Sequence, residues 1–273
     1  GLPVLERSGL DDRTLELDVL NDWLQVAVWT DNHARAEELV TEAWRLLAER
    51  RSVADEHNVV MQTSDLRRRQ GRLDEAALLA ERAWTLADAV DGGSGRSSEL
   101  AVIAAQRGDA DTAHRHAGML AASALTGQLP VTTAQARFAI GTIAAFDGDP
   151  RRAVEHFSAA VADLDGCGIR DLGALPVRPA LLESLIQVGE LDRAEQVANE
   201  IVELAERAGR PRGFAEALRA RAHIAAGRRH LDEAAGLAGD AACAFERIGM
   251  PVERAHTLIV AAGIARRARR RTE

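Results

Sequence analysis

Apolar residues recur along this chain at helical spacing, and short polar turns interrupt them at regular intervals. From Val131 to Ala145 the apolar set is Ala134, Phe138, Ile140, Gly141 and Ala145. From Arg151 to Leu164 it is Ala153, Phe157, Ala160 and Val161, at i, i+4, i+7 and i+8. Such spacing lays one stripe along a helix. Between the two lies Gly148-Asp149-Pro150. Glycine stops the first helix, aspartate caps the second and proline suits its first turn. The pattern repeats downstream. Pro179 to Val188 ends at Gly189, and Leu191 to Ala208 turns Ala194, Val197, Ala198, Ile201 and Leu204 inward. Each unit therefore reads helix, turn, helix, loop.

The units keep a fixed beat. Ala36, Ala76, Ala113, Ala153, Ala194 and Ala234 follow similar lead-ins, such as Gly71-Arg72-Leu73-Asp74-Glu75 and Gly189-Glu190-Leu191-Asp192-Arg193. Their separations run from 37 to 41 residues. A period in this range marks a stacked array. Twelve residues before each anchor stand Leu24, Ser64, Ala101, Gly141, Leu182 and Ala222. Seven after it stand Ala43, Ala83, Leu120, Ala160, Ile201 and Ala241. Small residues dominate both sets, as close helix approach requires. The offsets resemble those of the tetratricopeptide repeat, whose period is about 34 residues. Longer helices or longer inter-repeat loops, at Asp91–Gly95 and Gly127–Pro130, would absorb the difference. The expected fold is all-α: a right-handed superhelix of about six tetratricopeptide-like helix-turn-helix repeats, one domain spanning residues 1–273.

Composition narrows the chemistry. Apolar residues make up 47% of the chain but aromatics only 3%, with no tyrosine, so alanine and leucine carry the packing. Every basic residue other than histidine is arginine, which excludes a Schiff-base lysine and a phosphate-loop lysine. A net charge of -8 argues against the whole chain binding nucleic acid. Two distant cysteines, Cys167 and Cys243, make no disulfide framework, and a cytoplasmic setting is expected. No apolar run reaches the ~20 residues of a membrane span.

The last hundred residues carry a sharper likeness. Phe245-Glu246-Arg247-Ile248-Gly249-Met250-Pro251-Val252-Glu253-Arg254-Ala255-His256-Thr257-Leu258, followed by Gly263 and Arg266-Arg267-Ala268-Arg269-Arg270, resembles the end of the helical-repeat region in large ATP-binding regulators of the LuxR family. Leu182 to Ala194 and Arg219-Ala220-Arg221-Ala222 fit the same region. The likeness covers roughly residues 175–271; His256 stands where relatives usually carry arginine, and Ala262 replaces a common leucine. In that family a nucleotide-binding domain precedes the repeats and a DNA-binding helix-turn-helix domain follows them. The chain contains neither the Gly-x-x-x-x-Gly-Lys loop nor a helix-turn-helix after Arg271. The resemblance, with the opening Gly1 and the abrupt arginine-rich end, implies a middle segment. ATP and DNA would then belong to its absent neighbours, and this segment would have no cofactor.

Local clusters suggest no catalysis. The eight histidines include no i, i+4 pair, and no Cys-x-x-Cys exists, so no metal site is expected. Ser94, Ser97 and Ser98 beside Gly92, Gly93 and Gly95 read as a loop, because no strand precedes them. The Arg266–Arg271 run reads as a solvated helix end. Acidic pairs such as Asp74-Glu75 sit where a helix dipole favours them. The chain is expected not to be an enzyme.

What remains is the face of the first helix in each repeat. Transferring tetratricopeptide groove offsets gives Asn21, Gln25 and Trp29, then Asn58, Met61 and Asp65. Later repeats give Phe138, Thr142, Glu183, Arg219 and His223, with Phe146 and Gln187 nearby. The expected occupant is a small-molecule effector or a regulatory protein, as in a sensor arm. The alternative is a protein-interaction or self-association scaffold without a small ligand, with a homodimer built on terminal-helix residues such as Leu258 and Ile259.

Overall fold

The computed structural model describes residues 12–49, 52–91, 97–124, 130–170, 173 and 175–272. The loop residues Gly92–Gly95 and Gly127–Leu129 lie outside them. Among the described residues there are thirteen α-helices and no strand: α1 (Asp12–Trp29), α2 (His33–Glu49), α3 (Val53–Arg69), α4 (Leu73–Asp91), α5 (Ser97–Arg107), α6 (Ala110–Ala124), α7 (Pro130–Phe146), α8 (Pro150–Gly166), α9 (Val177–Val188), α10 (Leu191–Ala208), α11 (Pro211–Gly227), α12 (Leu231–Arg247) and α13 (Pro251–Thr272). Odd-numbered helices are the first, or A, helices of the repeats, and even-numbered ones are the B helices. None is long and apolar enough to cross a membrane.

The helices form two compact units, residues 1–68 with 72–93, and residues 69–71 with 94–273. In the first, Leu24 and Val28 of α1, Leu39 and Val40 of α2 and Leu66 of α3 share one apolar cluster. Leu17, Ala43, Leu46 and Val59 form a second across the same three helices. The Ser64 hydroxyl donates to the Ala76 carbonyl at 2.9 Å, tying α3 to α4. In the second unit every helix from α5 to α13 packs on the next, and each A helix also touches the next A helix. That is nearest-neighbour stacking, in which each repeat buries the face that its predecessor leaves open.

The small-residue beat sets the spacing. All six anchor alanines are 0% exposed. The residues twelve before and seven after them are buried without exception. A larger side chain there would overpack the helix pair by about 1–3 kcal/mol. Gly141 shows the tolerance: a Cβ added to it would lie 2.6 Å from Cε1 of Phe157. The apolar stripe of α7 is wider than its sequence pattern suggests. Ala136, Ala139, Ile143 and Ala144 are buried, whereas Phe138, Ile140 and Ala145 are half-buried. The reason is that an interior A helix has neighbours on more than one side.

The turn inside each repeat is also shared. Gly71, Gly108, Gly148 and Gly189 have φ between 78° and 83°. Where the first and sixth repeats lack that glycine, Asp31 (φ 55°) and Arg229 (φ 67°) take the left-handed conformation instead. Asp149 caps α8 by accepting from the Arg152 backbone N–H at 3.1 Å, with Pro150 in the first turn. From α10 to α12 the helices run 17 or 18 residues, and turns of two or three residues join them. Here the length beyond 34 residues lies in the helices, not in the loops.

Candidate functional site

The A helices α5, α7, α9, α11 and α13 lie side by side in the second unit, and polar side chains of three of them, α9, α11 and α13, meet at Arg219. The sequence of α11 explains why. Ala215, Ala217, Ala220 and Ala222 let its neighbours approach, and the long side chains among them are drawn into the seam. Arg219 is 5% exposed. Its Nη2 donates to Oε1 of Glu183 on α9, and its Nη1 to Oε2 of Glu253 on α13, both at 2.5 Å. Its guanidinium carbon lies 5.1 Å from the centre of the Phe245 ring on α12. One side chain thus joins four helices.

A second pair lies alongside. Arg212 Nε donates to Oε1 of Glu216 at 2.8 Å, one turn away on the same helix. Burial pushes the Glu216 carboxyl above its usual range, and the Arg212 charge offsets only part of that. Burial also pushes Glu253 up, but Arg219 and Arg212 more than reverse it, leaving this carboxyl below its usual range. Burial disfavours the charged form of Arg219, yet Glu183 and Glu253 outweigh it and hold the guanidinium protonated. His223, one turn further along α11, is pushed down chiefly by burial. It shares a small cleft with Pro179, Leu182, Glu183, Glu216, Arg219 and Ala220. The cleft measures about 10 Å³, room for at most one water. Among the described residues no three histidine, cysteine, aspartate or glutamate side chains gather to hold a metal ion.

The residues expected to line a groove fall into distinct environments. Glu183, Arg219 and His223 converge on this one cleft. Phe138 is half-buried and packs against Phe157, ring centres 5.9 Å apart, while the Thr142 hydroxyl donates to the Phe138 carbonyl at 2.8 Å. In the first unit Asn21 is 8% exposed, and neither of its amide heavy atoms has a hydrogen-bond partner among the described residues. It lies on the inward stripe of Leu17, Leu24 and Val28. Gln25 is half-buried, and Trp29 packs against the cluster around Leu24 and Leu66. Asn58 is exposed and Met61 half-buried. Asp65 accepts from Arg68 Nη2 at 2.5 Å.

Asn21, Met61, Ser98, Phe138, Pro179 and Arg219 all stand fifteen residues before their anchor alanine. None of them is exposed, so this position belongs to the packing of the A helices rather than to an open floor. Three members of the ionic cluster, Arg212, Glu216 and Glu253, escape the groove offsets. The Arg212–Glu216 spacing of four residues was a usable signal. Glu253 gave none, because its partner lies 34 residues away.

No protein-family profile and no curated protein sequence matches the chain. Solved structures do resemble it. A Rap protein complexed with competence and sporulation factor aligns with a TM-score of 0.66 at 14% identity, over 96% of this chain and 78% of its own. A tetratricopeptide repeat protein from Parabacteroides merdae aligns with a TM-score of 0.58 at 11% identity, over 97% of this chain and 90% of its own. At these identities the likeness is one of fold. The chain is an all-α, tetratricopeptide-like helical-repeat protein.

Proposed function

We propose that this chain is the interaction arm of a LuxR-type transcription regulator and that its A-helix face takes a protein segment or extended peptide. One observation carries the reading. The A helices of the second unit run side by side, and Phe146, Gln187 and His223 remain wholly or partly open along them. A row of such side chains suits an extended chain, as concave solenoid faces generally do. The deepest point, at Arg219, is filled by protein carboxylates and leaves only about 10 Å³, which favours a polypeptide over a small effector. The Rap protein of similar fold, with its bound factor, is consistent with this. The regulator context rests on the resemblance over residues 175–271.

A photo-crosslinking residue at Gln187, compared with one at the exposed Gln196 on helix α10, tests the first part. Specific capture from Gln187 alone is expected. Equal capture from both positions, or capture from Gln196 alone, defeats the assignment of the A face. The regulator context is checked in the gene. A nucleotide-binding domain encoded upstream and a helix-turn-helix downstream are expected, and a reading frame with neither removes it.

A further inference from the structure

The repeat sets the A-helix face out in rows. Thr142, Glu183, His223 and Gly263, on α7, α9, α11 and α13, stand 41, 40 and 40 residues apart. One turn further along the same helices stand Phe146, Gln187, Gly227 and Arg267. At Gly263 the first row loses its side chain, and a Cβ there would meet nothing. His223, half-buried, faces that gap from α11. On α13 itself His256 lies two turns before Gly263 and Arg267 one turn after it, along one stripe. Val252 begins the stripe and meets the Gly71 turn, but His256 and Arg267 are exposed. Burial does most to lower the proton affinity of His223; Glu183 opposes it, and Arg219, His256 and Arg267 add to it. Both α13 side chains therefore lie close enough for their charges to act on the imidazole. The carboxylates nearby are already engaged, Glu183 and Glu253 by Arg219 and Glu216 by Arg212. Among the described residues His223, His256 and Arg267 have no hydrogen-bond or ion-pair partner.

We propose that this end of the face binds an acidic residue of the incoming protein segment, with its carboxylate over Gly263 between His223, His256 and Arg267. The inference rests on the A-face reading above and names the chemistry of the partner. Of the three side chains, Arg267 carries the permanent charge. The imidazoles supply N–H donors, and a hydrogen bond to a carboxylate is stronger than one between neutral groups. Gly263 lets that carboxylate come close to the helix where Thr142 and Glu183 stand in earlier repeats. The chain as a whole carries a net charge of -8. An acidic segment is therefore repelled by most of the surface and drawn to this end of it. The site also gives the segment a direction, with its acidic residue toward α13.

Synthetic peptide pools, each with one residue fixed and the rest randomised, test it on the immobilised full chain. Pools fixed as aspartate or glutamate should be retained about tenfold over their asparagine or glutamine counterparts. Retained peptides should crosslink from a photoreactive residue at Gln187. Arg267→Glu should invert the order in favour of lysine and arginine pools, and His256→Glu should weaken the acidic preference. Both residues are exposed, so the helical melting curve should not change. Arg207→Glu, on the B helix α10, should leave the order as it was. Retention with crosslinking but no acidic preference overturns this inference and leaves the A-face assignment standing. So does a preference that survives Arg267→Glu, or one that Arg207→Glu inverts equally. Retention without crosslinking from Gln187, or no retention of any pool, removes the A-face assignment and this inference with it.

Discussion

Asn21 and Arg219 occupy the same place in their repeats, fifteen residues before the anchor alanine, and they meet opposite fates. Both are buried polar side chains. Arg219 finds a carboxylate on the A helix before it and another on the A helix after it. Asn21, on the first described helix of its unit, leaves both amide heavy atoms without a partner among the described residues. A seam between A helices therefore tolerates a polar group only when neighbouring repeats supply its complement. An isolated buried charge or amide carries a desolvation cost that a single helix cannot offset.

The largest test of this contrast is Arg219→Ala. It strands Glu183 and Glu253, and a loss of about 3–5 kcal/mol is expected. Urea unfolding with unchanged slope would measure it. Replacing all three partners together, Arg219→Leu with Glu183→Leu and Glu253→Leu, should recover most of that loss. No recovery would mean that packing, not charge, holds the seam. Asn21→Leu should move stability the other way, raising it by about 1–3 kcal/mol by removing two orphaned groups. A loss on that substitution would show that the amide has a partner after all.

Titration sharpens the comparison next. The Glu216 carboxyl is raised by burial, so the folded state holds its proton more tightly than the unfolded chain. Stability then falls as pH rises from the usual value of 4.5 through the folded value. His223 is lowered by burial, so the unfolded chain binds the proton first. Stability falls as pH drops through the usual value of 6.5 toward the folded one. Glu216→Gln should flatten the first slope and His223→Gln the second, read from urea midpoints across pH. Asn21→Leu should leave both slopes in place, and a change in either would couple the two positions.

The smallest expected effect concerns the turns. Arg229 holds a left-handed conformation that four other repeats assign to glycine. Arg229→Gly should raise the melting temperature, corresponding to a gain of up to about 1 kcal/mol. The same change at Asp31 should yield less, since aspartate tolerates that conformation better.

The beat of small residues was legible because steric exclusion acts at each repeat separately. Ala153 or Ala194 must be small whatever surrounds it, and the sequence records that constraint every 40 residues or so. The ionic seam was not legible in this way. The position of Arg219 is filled elsewhere by Met61, Ser98, Phe138 and Pro179, so no chemical pattern recurs there. Its meaning lies in Glu183 and Glu253, 36 residues before it and 34 after. A groove offset borrowed from a shorter repeat marked Arg219 and Glu183 separately without pairing them. It passed over Glu253 entirely.

Nearest-neighbour stacking also governs how the second unit responds to mechanical load. A pull on its C-terminal end first parts one distant contact, Val252 of α13 against Gly71, and then works mainly on neighbouring helices, so helices should peel away one after another from that end. The Arg219 bridge interrupts that sequence, because α13 cannot leave without parting Glu253 from a guanidinium that also grips α9. An optical trap would read this as one tall rip among shallow ones, lost in Glu253→Gln.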